Sequence, residues 1–354
     1  MLLKGEKEMK KNIAIIFGGC SPEYGVSLQS AHAVVTHIDT SRYQPVLIGI
    51  TKDGDWYLYE GGADAILTDT WTLNCCTPAA VSPNRSEHVL LKILEDHIEK
   101  IHLDAAFPVL HGQNGEDGTV QGLFELAGIP VIGCKILASA LCMDKNRAHK
   151  LAGAAGVSVP RSVTLKKINS GDAESLAAKI GYPLFVKPVK AGSSFGVAKV
   201  LSPVGLPAAI HTAFLYDDTI LIEEAISGFE VGCAVLGSDT LTVGEVDEIE
   251  LADGFFDFTE KYTLKTSEIH VPARISEVAA KRIKDTAKTI YQALDCQGFA
   301  RVDMFLTESG EIFFNEVNTI PGFTSHSRFP NMLKAIGMSF EQVISTVIEQ
   351  VVKP

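Results

Sequence analysis

Asn12-Ile13-Ala14-Ile15-Ile16-Phe17-Gly18-Gly19 is an apolar, β-branched run that stops at two glycines. Such a run reads as a strand buried on both faces of a parallel sheet, feeding a tight turn. Val26, Ala33, Val34 and Ile38 follow at helical spacing, and Pro45–Ile50 reads as a second strand. A third strand, Ala105–Leu110, ends at His111-Gly112. The first third of the chain therefore predicts an open parallel α/β sheet with its binding loops at the strand C-terminal ends. Residues 60–85 mix Gly, Thr, Cys and Pro without period and read as variable surface.

Further along, one helical stretch is expected from Ile136 to Ala155, closed by Gly156. Short strands are expected at Ser162–Leu165, Leu184–Lys187, Gly196–Val200 and Ile220–Glu223, with a helix at Asp172–Ile180. Leu236–Leu251 alternates and is rich in glutamate; a helix is expected at Ser276–Leu294. Phe299–Leu306 and Ile312–Val317, joined by Glu308-Ser309-Gly310, predict a hairpin.

The 354 residues suggest two or three domains at roughly 150 residues each. With 31 Lys and Arg against 43 Asp and Glu, the net charge is −12. That balance argues against nucleic-acid binding, which needs a basic surface, and against an anionic membrane. The first residues carry acids and no apolar core, unlike a secretory signal. Seven cysteines without a CxxC pair argue against a disulfide framework or a zinc site, so reduced thiols and a cytoplasmic location are expected.

Lys187-Pro188 ends a strand, and Ala191-Gly192-Ser193-Ser194-Phe195-Gly196 follows. Small residues let backbone N–H groups approach a ligand while the lysine supplies charge, which suits a phosphate chain. The pattern is neither a Walker A loop nor GxGxxG, and it equally suits a surface turn. Asp303, Glu316 and Asn318 lie on the two strands of the hairpin, where period 2 places Arg301 with Asp303 and Glu316 with Asn318. Hard oxygen donors converging there match Mg²⁺; the competing reading is a solvated face with an Arg301–Asp303 salt bridge. Glu223, Glu224, Ala225 and Ile226 end an apolar strand shortly before Glu230, suiting either an adenosine pocket or an acidic loop facing water. Glu23, after the first strand, is placed to hold an ammonium group. His111, at a second strand end beside Glu23, is a candidate substrate-binding residue, though a lone histidine is more often structural, and the acids Glu116 and Asp117 after it are candidate caps for the next helix.

Together these motifs resemble the ATP-grasp D-alanine–D-alanine ligases, from about residue 11 over nearly the whole chain. The resemblance rests on Phe17–Glu23, His111–Gly118, Met143–Lys145, Lys187-Pro188, Gly192–Gly196, Glu260–Tyr262, Arg301–Asp303, Asn315–Thr319 and Pro321–Ser327. It implies three α/β domains, 11–135 (an N-terminal open parallel sheet, the pre-ATP-grasp domain), 136–225 and 226–354, with ATP between the last two. In that family ATP phosphorylates a first D-alanine, and a second D-amino acid attacks the acyl phosphate to make cell-wall precursors. Carried over, Lys145 and Lys187 hold phosphates, with Ser194, Lys261, Phe305 and Asn315 completing the ATP site. Asp303, Glu316 and Asn318 hold two Mg²⁺ (or Mn²⁺), and Arg301 and the Gly322 N–H stabilise the tetrahedral intermediate. Glu23 binds the first ammonium, Ser193 and Tyr262 close the site, and Ser327 meets the second carboxylate. A homodimer is also implied.

Tyr262 resembles family members that accept an amine nucleophile rather than D-lactate. Ser327-Arg328-Phe329-Pro330 resembles the vancomycin-resistance ligases, whereas D-Ala–D-Ala ligases usually carry an apolar residue at the arginine. An arginine oriented by an acid, here Asp247, offers hydrogen bonds to a hydroxymethyl side chain, with Phe256 lining the same pocket. The expected substrates are therefore D-alanine and D-serine, and a housekeeping D-Ala–D-Ala ligase is the alternative.

Overall fold

The computed structural model describes residues 10–251 and 267–352. The chain begins with β1 (Lys11–Gly18), α1 (Tyr24–His37), β2 (Tyr43–Ile50), β3 (Trp56–Tyr59) and α2 (Ala63–Leu67). It continues through β4 (Cys76–Val81), β5 (Val89–Ile93), β6 (Ile98–His102), β7 (Ala105–Pro108) and α3 (Thr119–Leu126). The strands form one seven-stranded sheet in the order β6-β5-β4-β3-β2-β1-β7. β1 is buried from Ile13 to Phe17 and runs parallel to β2 and β7, as its apolar run demands. The expected all-parallel sheet is corrected here to a mixed one, because β2 to β6 form an antiparallel meander. A parallel return needs a crossover of roughly a dozen residues or more. The connections 51–55, 82–88 and 94–97 are too short for one.

Residues 60–85 are not merely surface. They contain α2 and β4, and Trp71 is 0% exposed. Its ring lies against Phe17 and covers Gly49, and its indole N–H donates to Tyr24 Oη at 2.9 Å. One aromatic anchor leaves no period to read.

The expected helix over 136–155 is two, α4 (Ile136–Met143) and α5 (Lys145–Ala154). Asp144, at ψ 93°, breaks the first and caps the second by accepting the Arg147 N–H at 2.9 Å. Then β8 (Ser162–Lys166), α6 (Ala173–Ile180), β9 (Leu184–Pro188), β10 (Ala198–Val200), α7 (Leu206–Ala213) and β11 (Thr219–Glu224) form a four-stranded antiparallel sheet with its own core.

The last sheet comprises β12 (Gly228–Leu236), β13 (Thr242–Val243), β14 (Asp247–Leu251) and β15 (Ser267–His270). After α8 (Glu277–Ala293) it is completed by β16 (Phe299–Thr307) and β17 (Ile312–Asn318), before α9 (Arg328–Lys334) and α10 (Phe340–Glu349). Leu236–Leu251 is thus not one alternating strand, since Leu236 closes β12 and the chain reverses into β13 and β14. Phe299, Phe323 and Phe329 share a core with Phe17 and Phe107, which pins the loop after β17 beneath the ends of β1 and β7.

Candidate active site

The hairpin β16–β17 sets the centre. Arg301 pairs in register with Asn318, and Asp303 with Glu316. A bulge follows Asp303, so that Met304 faces Phe314 and Asn315 is the extra residue. The apolar residues Phe314 and Val317 are consequently three apart yet both buried in one core. The polar residues gather on the opposite face.

Arg301 does bridge Asp303, with Nε–Oδ1 at 2.8 Å and Nη2–Oδ2 at 2.7 Å, but Asp303 is buried rather than solvated. Asn318 Nδ2 also donates to Asp303, at 2.8 Å. Lys145 Nζ lies 3.6 Å from Glu316 Oε2 and donates to the Ala191 carbonyl at 2.8 Å. Two carboxylates and a side-chain amide on adjacent strands form a hard-oxygen donor set that fits a divalent cation.

A cavity of about 490 Å³ opens beside this face. It brings together the expected nucleotide residues Lys145, Lys187, Ser194, Glu223, Glu224, Ala225, Ile226, Glu230, Phe305 and Asn315. Lys261 lies outside the described residues, as do Tyr262 and Phe256. Lys187 Nζ bonds Glu223 Oε1 at 2.6 Å across β9 and β11, both side chains being buried. Ser193 and Ser194 sit at φ +48° and +59°, left-handed backbone that non-glycine residues adopt rarely. That turn sends the Ser193 hydroxyl to the Glu23 carboxylate, to which it donates.

Glu23 is buried at the start of α1. Gly112, at φ +73°, is needed beside it, because a Cβ there would lie 2.0 Å from Glu23 Oε2. Of the two acids expected to cap α3, only Asp117 meets that helix, accepting the Thr119 N–H at 3.0 Å. Glu116 turns inward instead, accepting N–H groups from Gly112 at 2.9 Å and Ile320 at 3.1 Å. Burial, and then the charge of Glu23, raise its carboxyl above the ordinary range. Sequence reasoning missed this link between the two ends of the chain.

Both ring nitrogens of His111 are engaged within the protein, one by the loop after β17 and the other by α1. A carbonyl only accepts, so Nδ1–H donates to Ile320 O at 2.9 Å, and Nε2 accepts from Ser30 Oγ at 3.1 Å. Ser30 Oγ in turn accepts the Phe323 N–H at 3.1 Å, so the chain of bonds spans Gly322. Burial lowers His111 from 6.5 to about 4. The unfolded chain therefore takes up a proton near pH 6.5 that the folded chain refuses until about pH 4. The contribution of His111 to stability, present above pH 6.5, is expected to fall by about 3 kcal/mol over that interval. Urea unfolding between pH 4 and 7 checks this: His111→Gln should lose that slope, and an unchanged slope would assign it to other groups.

Arg328 opens α9 and is buried. Its Nε and Nη2 bond the two oxygens of Asp247 at 2.6 and 2.8 Å, while Nη1 donates to Glu230 at 2.9 Å. Nη2 also lies 3.3 Å from Asp303 Oδ1, so one ion network joins the cavity to the hairpin. Gly232 makes room for the pair, since a Cβ there would stand 2.4 Å from Arg328 Nη2. Ser327 Oγ accepts from Thr324 N–H at 3.1 Å, one turn of loop beyond Gly322.

A central antiparallel sheet and a larger one, with a phosphate-type loop and an acidic hairpin facing one cavity, define an ATP-grasp enzyme. The models for the D-ala D-ala ligase N-terminus and C-terminus match residues 12–134 and 151–349. The solved VanG D-Ala:D-Ser ligase from Enterococcus faecalis is 58% identical with a TM-score of 0.91, covering 97% of this chain and 100% of that one. The vancomycin B-type resistance protein VanB of the same species is 48% identical, covering 96% of this chain and 98% of its own. A D-alanine–D-alanine ligase of Caldicellulosiruptor bescii is 42% identical, covering 96% and 94%. The chain belongs to the D-alanine–D-alanine ligase family and is an ATP-dependent D-alanine ligase.

Proposed function

We propose that the protein joins D-alanine to D-serine, yielding peptidoglycan precursors of the kind that confer vancomycin resistance. The observation that carries this reading is the buried Arg328–Asp247 pair at the start of α9. A guanidinium has five N–H groups; the bonds to Asp247 and Glu230 engage three of them, and the 3.3 Å contact of Nη2 with Asp303 occupies a fourth, leaving one on Nη1. A further N–H aimed at a hydroxymethyl group favours D-serine, because alanine leaves that buried donor unmatched. The similarity to the VanG D-Ala:D-Ser ligase supports the same choice.

In this reading three units, 11–135, 136–225 and 226–354, close around the reactants. Lys145 and Lys187 meet the phosphates of ATP, and Glu223 through Ile226 with Glu230 meet its nucleoside. Glu23, held by Ser193, takes the ammonium of the first D-alanine, whose charge offsets the crowding of Glu23 and Glu116. Asp303, Glu316 and Asn318 would hold two divalent cations, which screen the phosphates when bound. The γ-phosphoryl group passes to the D-alanine carboxylate, releasing ADP, and the D-serine amine then attacks the acyl carbon and expels phosphate. Arg301 and the Gly322 N–H stabilise the oxyanion formed there, and Ser327 lies by the D-serine carboxylate.

Product analysis with ATP and equal D-alanine and D-serine tests the reading. D-Ala–D-Ser should exceed D-Ala–D-Ala by about tenfold or more. D-Ala–D-Ala as the main product would return the protein to housekeeping ligation.

A further inference from the structure

His149 stands on α5 one turn after Lys145, buried behind the nucleotide cavity. Its Nε2 lies 2.8 Å from the Asn315 carbonyl, which only accepts, so this nitrogen carries the proton. Nδ1 then faces Glu223 Oε2 at 3.5 Å, and both atoms are buried without a hydrogen-bond partner among the described residues. Two acceptors thus face each other across a short gap. The other oxygen of the same carboxylate holds Lys187 at 2.6 Å. The charged groups facing the ring are Glu223 from β11, Lys187 from β9 and Lys145 from its own helix, while the Phe314 ring of β17 covers it edge-on at 5.3 Å.

We infer that His149 is a positioning residue of the nucleotide site, acting through Glu223 to set whether Lys187 is held back or released to a phosphate. The inference rests on Lys187 and Glu223 serving the nucleotide as proposed above. With Nδ1 unprotonated, its lone pair repels Glu223 Oε2, and the carboxylate stays committed to Lys187. A proton from solvent on Nδ1 turns the contact into a charge-assisted donor bond to Glu223. Lys187 then loses part of its hold and can turn to the phosphate chain. By linkage, a nucleotide that draws Lys187 away must favour protonation of His149 to the same extent. Burial first, with Lys187 and Lys145 adding to it against the attraction of Glu223, lowers the imidazole below its ordinary value. Tighter binding is therefore reached as the pH falls below neutrality.

The test is calorimetric titration of the whole protein with a non-hydrolysable ATP analogue and Mg²⁺, between pH 5.5 and 8.5. Two buffers of different ionisation enthalpy report proton uptake. Wild type should lose about fivefold in affinity from low to high pH and take up protons on binding. His149→Gln still donates to the Asn315 carbonyl but cannot titrate, so it should show only the ionisation of the nucleotide itself. Glu223→Gln should break the same coupling from the other side, and serves if the first variant folds poorly. Wild-type pH profiles and proton uptake in these variants would overturn the inference. Lys187→Ala separates the two layers. If it binds the analogue as wild type does, the nucleotide assignment fails, whereas loss of binding there with a wild-type profile in His149→Gln removes only the role of His149.

Discussion

Replacing Arg301 with alanine is expected to lower kcat by about two to three orders of magnitude while nucleotide affinity changes by less than about threefold. The side chain projects from β16 beside Asp303, and the cavity it adjoins is lined by Lys145, Lys187, Glu223 and Glu316 rather than by the guanidinium. In the proposed mechanism its charge is offered chiefly to the oxyanion of the acyl-transfer step. The variant should remain folded, because Asp303 keeps Asn318 at 2.8 Å and Arg328 at 3.3 Å, so the buried carboxylate is not orphaned. Single-turnover kinetics and analogue titration on the same preparation check both halves. A loss of nucleotide affinity as large as the loss of turnover would place Arg301 in ground-state binding instead.

Arg328→Leu should act on stability before it acts on specificity. Asp247 is 0% exposed and its two oxygens are held by Arg328. Removing the arginine strands a buried charge at a cost of about 3–5 kcal/mol, lowering the unfolding midpoint by on the order of 10 °C. Arg328→Leu combined with Asp247→Leu removes both charges and should recover most of that loss, since an apolar pair can replace a buried ion pair. Specificity is best read in the double variant, where the product should move from D-Ala–D-Ser towards D-Ala–D-Ala. An unchanged product ratio in a stable double variant would sink the pocket assignment, and full stability in the single variant would contradict the burial argument.

Much of this site was legible from local pattern. The hairpin 299–317 was readable because period 2 and a Glu-Ser-Gly turn are properties of neighbouring residues, whereas the bulge that brings Asp303 opposite Glu316 has no such local signature. The Gly/Ser loop after Lys187 was visible for the same reason. His149 left one weak signal, its spacing of four from Lys145, which puts both on one face of α5. Glu116 left a misleading one, since an acid just before a helix reads as a cap. The mixed sheet escaped because the meander strands β3 to β6 are short and half exposed, with no long apolar run to announce them.

The amino-acid order by itself determined the buried strand β1, the acidic hairpin, the phosphate-type loop and hence the chemistry on offer. Periodicity and turn residues act over a few positions, so they survive in the linear chain. Which charge meets which was decided only in three dimensions. Arg328 finds Asp247 across 81 positions and Glu230 across 98, and His111 reaches Ile320 across 209. A buried ion must be matched by a partner brought to it through the packing of separate elements, and no local pattern encodes that partner.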